Sequence, residues 1–278
     1  MLSLCTCHNN LQRSIEGLVQ KLYSEDAVVQ EQAAKDLNDV AMNAEDKVKI
    51  ASAGAIPPLV AMLGPRRSGM PTMQEQATRA LCNLSVNADN QIKISAAGAI
   101  PLLVALLGSQ CSEVPMTQQY AALTLSNLAV NADNKIKIAA AGAIPPLVAL
   151  LGPQCSVGVR EQVARVLCNL SVNADNMVLV ASAGAIPPLV ALLGPQCSAG
   201  LQEQAAKALN NLAINADNKV KIAAAGAIPP LVSLKLGSQS SARVQEQAAK
   251  ALDTLAINAD NKVKIAAALS IPQPVNTE

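Results

Sequence analysis

Amide and cationic side chains recur along this sequence at nearly even intervals. Asn83, Asn127, Asn169 and Asn211 follow one another at spacings of 44, 42 and 42 residues. Glutamines lie seven positions before three of these asparagines, at Gln76, Gln162 and Gln204. Cations lie four positions before the same three asparagines, at Arg79, Arg165 and Lys207, and Lys250 is the equivalent cation in the last repeat. An amide offers both a hydrogen-bond donor and an acceptor. A row of amide side chains can therefore hydrogen-bond the extended backbone of a ligand, which indicates binding rather than catalysis.

Residues that could perform catalysis or hold a metal do not form a usable set. His8 is the only histidine, so a Ser-His or Cys-His pair would have to use it. Cys5, Cys7 and His8 are too tightly spaced for a zinc site and lack a fourth ligand. No phosphate-binding glycine motif is present. We therefore expect no enzyme activity, no metal and no cofactor.

The seven cysteines are odd in number, and no secretory signal precedes them. Three of them, Cys111, Cys155 and Cys197, repeat within a Q-C-S motif. Reduced thiols in an intracellular protein are the simplest interpretation. We expect a cytoplasmic protein, with a nuclear or peripheral membrane location as alternatives.

Composition excludes two classes of partner. The chain has 21 basic and 20 acidic residues, which gives no basic surface for nucleic acid. Two uncharged runs, 138–159 and 176–202, are long enough to span a membrane, but each carries a Pro-Pro pair and glycines at its centre. Buried repeat helices explain these runs better than broken spans. With 1% aromatic residues, no Trp and no Phe, the core must use small aliphatic side chains, as closely stacked helices do.

Two strings that repeat in register reveal the elements that position these residues. A-G-A-I-P occurs with its glycine at positions 54, 98, 142, 184 and 226, and N-A-D-N begins at 87, 131, 173, 215 and 258. In the repeat that starts at Asn87 we predict a helix over 91–97 with Asp89 as N-cap, a second over 102–107 and a third over 118–130. Three helices every 42–44 residues indicate a solenoid.

The same two repeated strings give the predicted boundaries of the tails and repeats. We expect a disordered tail over 1–11 and one solenoid over 12–268, followed by a disordered tail over 269–278. Within the solenoid we assign a partial first repeat to 12–42, five full repeats to 43–86, 87–130, 131–172, 173–214 and 215–257, and a partial last repeat to 258–268.

The strings I-K-I-A-A-A-G-A-I-P-P-L-V-A-L-L-G and A-L-C-N-L-S resemble the armadillo-repeat family, which includes β-catenin, importin-α, vacuolar protein 8 and plant U-box ligases. The N-A-D-N-K turn is most similar to the vacuolar protein 8 and plant-type repeats. The resemblance implies an all-α fold, a right-handed armadillo α-solenoid. Its third helices would line a concave groove that takes an extended peptide.

Asn83, Asn127, Asn169 and Asn211 match the groove asparagine of that family. Helical spacing places them on one stripe with the glutamines and cations, away from a core stripe formed by Met73, Ala77, Ala80, Leu81 and Leu84. One interpretation is that the amides bind a ligand backbone. The other is that they hydrogen-bond their own helix or a neighbouring loop.

The groove tryptophan of importin-like members is replaced by Lys35, Arg79, Leu123, Arg165, Lys207 and Lys250. These cations would repel basic peptides and favour an acidic ligand. Alternatively, each pairs with a glutamate four residues earlier, at Glu31, Glu75, Glu161, Glu203 or Glu246. We predict a monomeric, non-enzymatic scaffold for a protein or extended peptide. The alternatives are the substrate-recognition arm of a ubiquitin ligase and an importin-like cargo adaptor.

Overall fold

A computed structural model describes residues 2–64, 71–108 and 115–270, and every regular element in those ranges is an α-helix. The predicted all-α class is therefore confirmed. Contacts group the chain into two compact units, Met1–Ala141 and Gly142–Glu278.

Unit 1 contains nine helices within the described residues: α1 (Leu2–Leu22), α2 (Ala27–Val40), α3 (Ala44–Ser52), α4 (Ile56–Ala61), α5 (Pro71–Leu84), α6 (Ala88–Ala96), α7 (Ala99–Leu107), α8 (Pro115–Leu128) and α9 (Ala132–Ala140). Unit 2 likewise contains nine over its described part: α10 (Ile144–Ala149), α11 (Val157–Leu170), α12 (Ala174–Ser182), α13 (Ile186–Ala191), α14 (Ala199–Leu212), α15 (Ala216–Ala224), α16 (Ile228–Leu236), α17 (Ala242–Leu255) and α18 (Ala259–Leu269). The first helices of the repeats are α3, α6, α9, α12, α15 and α18. The third helices are α2, α5, α8, α11, α14 and α17.

An asparagine side chain starts each first helix. The Asn87 Oδ1 atom accepts a hydrogen bond from the Asn90 backbone N–H at 3.0 Å, and the same bond recurs at the other five first helices. This bond satisfies a backbone donor that the helix itself cannot pair. The prediction that Asp89 is the N-cap is therefore wrong. Asp89 lies in the first turn of α6, where a carboxylate still favours the positive end of the helix dipole.

A glycine with positive φ ends each of five first helices. Gly98 has a φ of 78° and Gly184 a φ of 81°, in the left-handed region that a side chain disfavours. This conformation turns the chain sharply within a few residues, so the second helix can begin at once.

The third helices form the centre of each unit. Helices α2, α5 and α8 pack in succession in unit 1, as do α11, α14 and α17 in unit 2. The predicted inward stripe of α5 is buried throughout, and Ala121 and Ala122 of α8 are fully buried. Because these side chains are small, helix backbones can approach closely, and no large aromatic residue is needed.

Three differences from the sequence expectations concern chain ends and cysteines. Residues 2–11, assigned to a disordered tail, continue α1; this stretch contains no Gly or Pro to stop a helix. The predicted tail 269–278 begins at the last residue of α18, and 271–278 lie outside the described residues. Cys155 is disulfide-bonded, so the expectation of seven reduced thiols is wrong at that position, whereas Cys82, Cys168 and Cys197 form no disulfide.

No single helix within the described ranges is long and apolar enough to cross a membrane. Helices α6 and α7 meet the length and hydropathy requirement only as a pair bent by 87°.

Candidate functional site

The predicted binding stripe lies on the solvent-accessible side of the third helices. Arg79, Arg165, Lys207 and Lys250 are exposed. The four asparagines and the glutamines of the stripe are partly buried: Asn83, Asn127, Asn169 and Asn211; Gln76, Gln162 and Gln204. The helical spacing therefore separated the core face from the exposed face correctly. Whether the stripe binds a ligand remains a prediction.

The asparagine amides of unit 1 hydrogen-bond the preceding third helix. Asn83 Nδ2 donates to Asn38 Oδ1 at 3.3 Å, and Asn127 Nδ2 donates to Ser85 Oγ at 3.0 Å. Asn38 in turn donates to the backbone oxygen of Gln76 at 3.3 Å. These bonds hold the amide planes in one orientation along α2, α5 and α8.

Unit 2 repeats the arrangement with different acceptors. Asn211 Nδ2 donates to the Cys168 backbone oxygen at 3.0 Å. In the last full repeat Thr254 occupies the asparagine position, and its hydroxyl donates to Asn210 Oδ1 at 2.7 Å. At Asn83, Asn127, Asn211 and Thr254 the position therefore carries a donor that reaches back to the preceding repeat.

These bonds leave part of each amide available. An amide nitrogen has two N–H groups and its oxygen can accept twice. The Oδ1 atoms of Asn83, Asn127 and Asn211 form no hydrogen bond within the described part of the chain. A ligand backbone can therefore donate to Oδ1 and accept from the second N–H while the inter-repeat bond persists.

The cations of the stripe are mostly not paired as the helical spacing suggested. Lys250 Nζ lies 2.6 Å from Glu246 Oε1, and this hydrogen bond lowers the pKa of Glu246. Arg79, Arg165 and Lys207 form no ion pair with any carboxylate of the described residues. One of the predicted glutamate pairs is thus present at Lys250, and three cations remain directed to solvent.

Two of the glutamates, Glu31 and Glu161, instead lie against the next third helix along the chain. Glu31 Oε2 accepts a hydrogen bond from Thr72 Oγ1 at 3.0 Å, at the start of α5. The Glu161 carboxylate lies against Gly200 in the first turn of α14, so that a Cβ there would come within 2.7 Å of it. The positive end of a helix dipole attracts a carboxylate. This attraction explains why the expected pairing of Glu31 and Glu161 with a cation four residues later on the same helix is absent.

An exposed aliphatic row adjoins the amides, one residue per third helix. It comprises Met42, Val86, Val130, Val172, Ile214 and Ile257, all between 61% and 78% exposed. The sequence analysis did not assign these residues to the site. Each lies two residues beyond the last residue of its third helix, and this recurrence was the available signal.

The Cys168 thiol beneath the stripe is expected to be unreactive. It is 1% exposed, and burial raises its pKa from 9.0 to about 11, although Lys207 and Arg165 oppose this shift. Because the thiolate is the nucleophile, the raised pKa of Cys168 keeps this thiol protonated and slow to react near pH 8. Iodoacetamide followed by peptide mass mapping should label Cys197 in the native protein and Cys168 only after unfolding.

The pH dependence of stability follows from the same shift. Between pH 9 and about 11 the unfolded state loses the Cys168 proton before the folded state does. The contribution of this thiol therefore lowers the free energy of unfolding as the pH rises through that window.

In the iodoacetamide experiment, labelling of Cys168 in the native protein as fast as that of Cys197 would contradict the argument that Cys168 is buried.

Nothing in the described residues forms a metal site, since no group of three or more His, Cys, Asp or Glu side chains comes together there. Cys5, Cys7 and His8 lie in α1, and their side chains fall outside the described part.

Comparison with known sequences gives one family. The profile of the Armadillo/beta-catenin-like repeat matches residues 43–86, 87–130, 131–172 and 173–214. These ranges coincide with the first four of the five repeats read from the sequence, and α15, α16 and α17 form the fifth. No curated protein sequence matches the chain.

Several solved structures similar to this chain are engineered proteins. One engineered protein is 33% identical with a TM-score of 0.78, covering 88% of this chain and 99% of its own. A designed armadillo repeat protein is 31% identical with a TM-score of 0.78, covering 87% and 99%. Another, solved in complex with the peptide (KR)4, is 31% identical with a TM-score of 0.75, covering 87% and 99%.

Proposed function

The chain belongs to the Armadillo/beta-catenin-like repeat family, and from this premise we propose that it is a scaffold that binds an extended segment of a partner protein along its third helices. The designed armadillo protein solved with a peptide supports this general activity. The proposal assigns no chemical reaction to the chain.

The observation that carries the proposal is the oriented amide row. Asn83 and Asn127 in unit 1 each use one N–H to reach the preceding repeat. In unit 2 the Asn211 amide nitrogen reaches both the backbone oxygen and the Sγ atom of Cys168, and its Oδ1 atom stays available. The remaining donor and acceptor have the polarity of a peptide group. Stacked helices lie about 8–10 Å apart, and an extended chain rises about 3.3 Å per residue. Each repeat therefore meets two to three ligand residues.

Charge selects the class of ligand. Arg79, Arg165 and Lys207 are exposed cations that no carboxylate of the described residues neutralises. On the other side of the amides lies the aliphatic row, in which Val86 is 64% exposed. Successive side chains of an extended peptide point in opposite directions. A segment that alternates acidic and aliphatic residues would thus direct one set to the cations and the other to the aliphatic row.

The charge preference can be measured with three labelled octapeptides, (EL)4, (KL)4 and (KR)4, by fluorescence anisotropy. We expect (EL)4 to bind most tightly and its affinity to fall as salt rises, because exposed charges are screened. Lys207→Ala should weaken (EL)4 binding by about two- to fivefold, the effect of one exposed ion pair.

Lys250→Ala is the matched control in the same unit. Its ammonium is already paired with Glu246 at 2.6 Å, so its loss should weaken (EL)4 less than the loss of Lys207. Equal or tighter binding of (KR)4 would reject the acidic-ligand proposal.

A further inference from the structure

Among the third helices that the structure describes, α8 alone has no charged residue. Its sequence PMTQQYAALTLSNL contains no Asp, Glu, Lys or Arg, whereas each of the other five third helices carries at least one residue of each sign. On the binding stripe α8 has Tyr120 at the place of Gln76 and Leu123 at the place of Arg79. This repeat keeps its stripe asparagine, Asn127, but has lost the cation beside it. The bound segment therefore meets a different surface at α8.

An accessible apolar patch replaces the polar side chains of the other repeats. It consists of Met116, Tyr120 and Leu123, which share one stripe of α8 by helical spacing. Met116 is 40% exposed and the other two are partly exposed, whereas Ala122 on the opposite stripe is fully buried. The chain has only two aromatic residues and packs its core with aliphatic side chains. A tyrosine on the accessible stripe is therefore an exception to the way this protein builds its core.

The apolar patch lies beside the amide that is to hold the ligand. Helix α8 packs against α5, and Asn127 Nδ2 donates to Ser85 Oγ at 3.0 Å. Leu123 and Tyr120 lie four and seven residues before Asn127, about 6 and 10.5 Å along the helix axis. The Tyr120 hydroxyl has no hydrogen-bond partner within the described part of the chain, although the Tyr120 backbone oxygen accepts from Thr124 Oγ1 at 2.7 Å. A large side chain of a segment held by Asn127 can reach this patch.

We propose that the apolar patch of α8 is a specificity site, which takes one aromatic side chain of the bound segment next to an acidic side chain opposite Arg79 on α5. This inference rests on the proposed function, since it states which residue the segment must carry at one point of the amide row.

Desolvation decides against a charged ligand residue at α8. A carboxylate opposite Arg79 meets an exposed cation. A carboxylate or an ammonium opposite Leu123 would lose water to apolar side chains and find no opposite charge on α8, which is costly. An apolar side chain gains free energy from the same contact, in proportion to the area that it buries. The segment must therefore change from acidic to apolar between α5 and α8.

Tyr120 favours an aromatic residue over an aliphatic one. Two aromatic rings prefer offset or edge-to-face packing, which adds to the effect of buried area. Tyrosine is also enriched among the few residues that dominate the free energy of binding at interfaces. Residues on the same side of an extended chain are two positions apart. The favoured segment thus carries an acidic residue and an aromatic residue separated by one position.

Three labelled nonapeptides that differ at the central residue test the specificity site: E-L-E-L-F-L-E-L-E and the same peptide with Leu or Glu at its centre. Each reads the same in both directions, so the orientation of the bound peptide does not affect the comparison. In fluorescence anisotropy the wild type should bind the Phe peptide most tightly, then the Leu peptide, then the Glu peptide. We expect about five- to tenfold between Phe and Glu, from a partly buried ring.

The double variant Tyr120→Gln/Leu123→Lys should reverse this order. It gives α8 the two residues that α14 carries at these places, Gln204 and Lys207, so it should remain helical by circular dichroism. The Glu peptide should then bind most tightly, because the new ammonium supplies the missing cation. Leu123→Lys alone should already strengthen the Glu peptide.

Arg79→Gln is the matched control on the neighbouring helix. It removes a cation from α5, so it should weaken all three peptides and leave their order unchanged. The specificity site is refuted if the wild type binds the Glu or the Leu peptide as tightly as the Phe peptide, or if the double variant keeps the wild-type order. Failure of the proposed function gives a different result, namely that no peptide binds or that Asn127→Ala retains full affinity for all three, and the specificity site then fails with it.

Discussion

The double substitution Asn83→Ala/Asn127→Ala is expected to weaken (EL)4 binding by about five- to a hundredfold. Each amide would lose its hydrogen bonds to the ligand backbone, at about 0.5–1.5 kcal/mol per residue, and the two losses add if the sites are independent. The comparison requires the same labelled peptide on wild type and variant in fluorescence anisotropy.

The same double substitution also removes two bonds between third helices, Asn83 to Asn38 and Asn127 to Ser85. The free energy of unfolding should therefore fall by about 0.5–1.5 kcal/mol for each. The sequence left open whether these amides bind a ligand backbone or hydrogen-bond the protein itself.

Ser85→Ala distinguishes the two roles of Asn127. It deletes the acceptor of the inter-repeat bond but leaves the amide, and the Ser85 hydroxyl otherwise donates only to the Cys82 backbone oxygen at 2.7 Å. We expect lower stability with nearly unchanged affinity. If the double amide variant keeps wild-type affinity, the groove hypothesis is wrong.

Leu125→Ala should lower the free energy of unfolding by about 2–5 kcal/mol, the usual effect of a cavity left by a buried leucine. Leu125 is fully buried in α8. Leu125 lies on a third helix, and the third helices pack against one another in succession. These helices cannot close the cavity left by the substitution without shifting their neighbours. Urea unfolding followed by circular dichroism gives the midpoint and the free energy.

Leu123→Ala is the control for this prediction. It is the same chemical change two residues earlier on α8, but Leu123 is only partly buried and lies at the cation position of the stripe. We expect a loss of about 1 kcal/mol or less, from the smaller apolar area exposed. Equal losses at the two positions would show that the buried and exposed faces of α8 have been misassigned.

Local patterns determined much of this protein. The two recurring strings predicted five full repeats, of which the family profile matches four. The 3.6-residue period correctly separated buried Leu81 and Leu84 from exposed Arg79. The N-cap was misassigned because both Asn87 and Asp89 are good capping residues. Only the backbone conformation decides between them, and Asn87 is the extended residue, with a ψ of 133°.

Relations between repeats could not be read from the sequence. Asn127 meets Ser85 across 42 residues, and Glu31 meets Thr72 across 41. Neither pair can be predicted from helical spacing, which relates only residues three or four positions apart on one helix. Met177 is likewise buried, at a position where the other first helices carry Lys or Gln.

The sequence by itself thus determined the three-helix repeat, the direction of each apolar face and the residue types that line the exposed stripe. The tertiary structure decided which donors and charges of that stripe remain available to a ligand. The physical reason is that a helix period depends on residues within one or two turns, whereas the partner of each amide and carboxylate is supplied by an adjacent repeat.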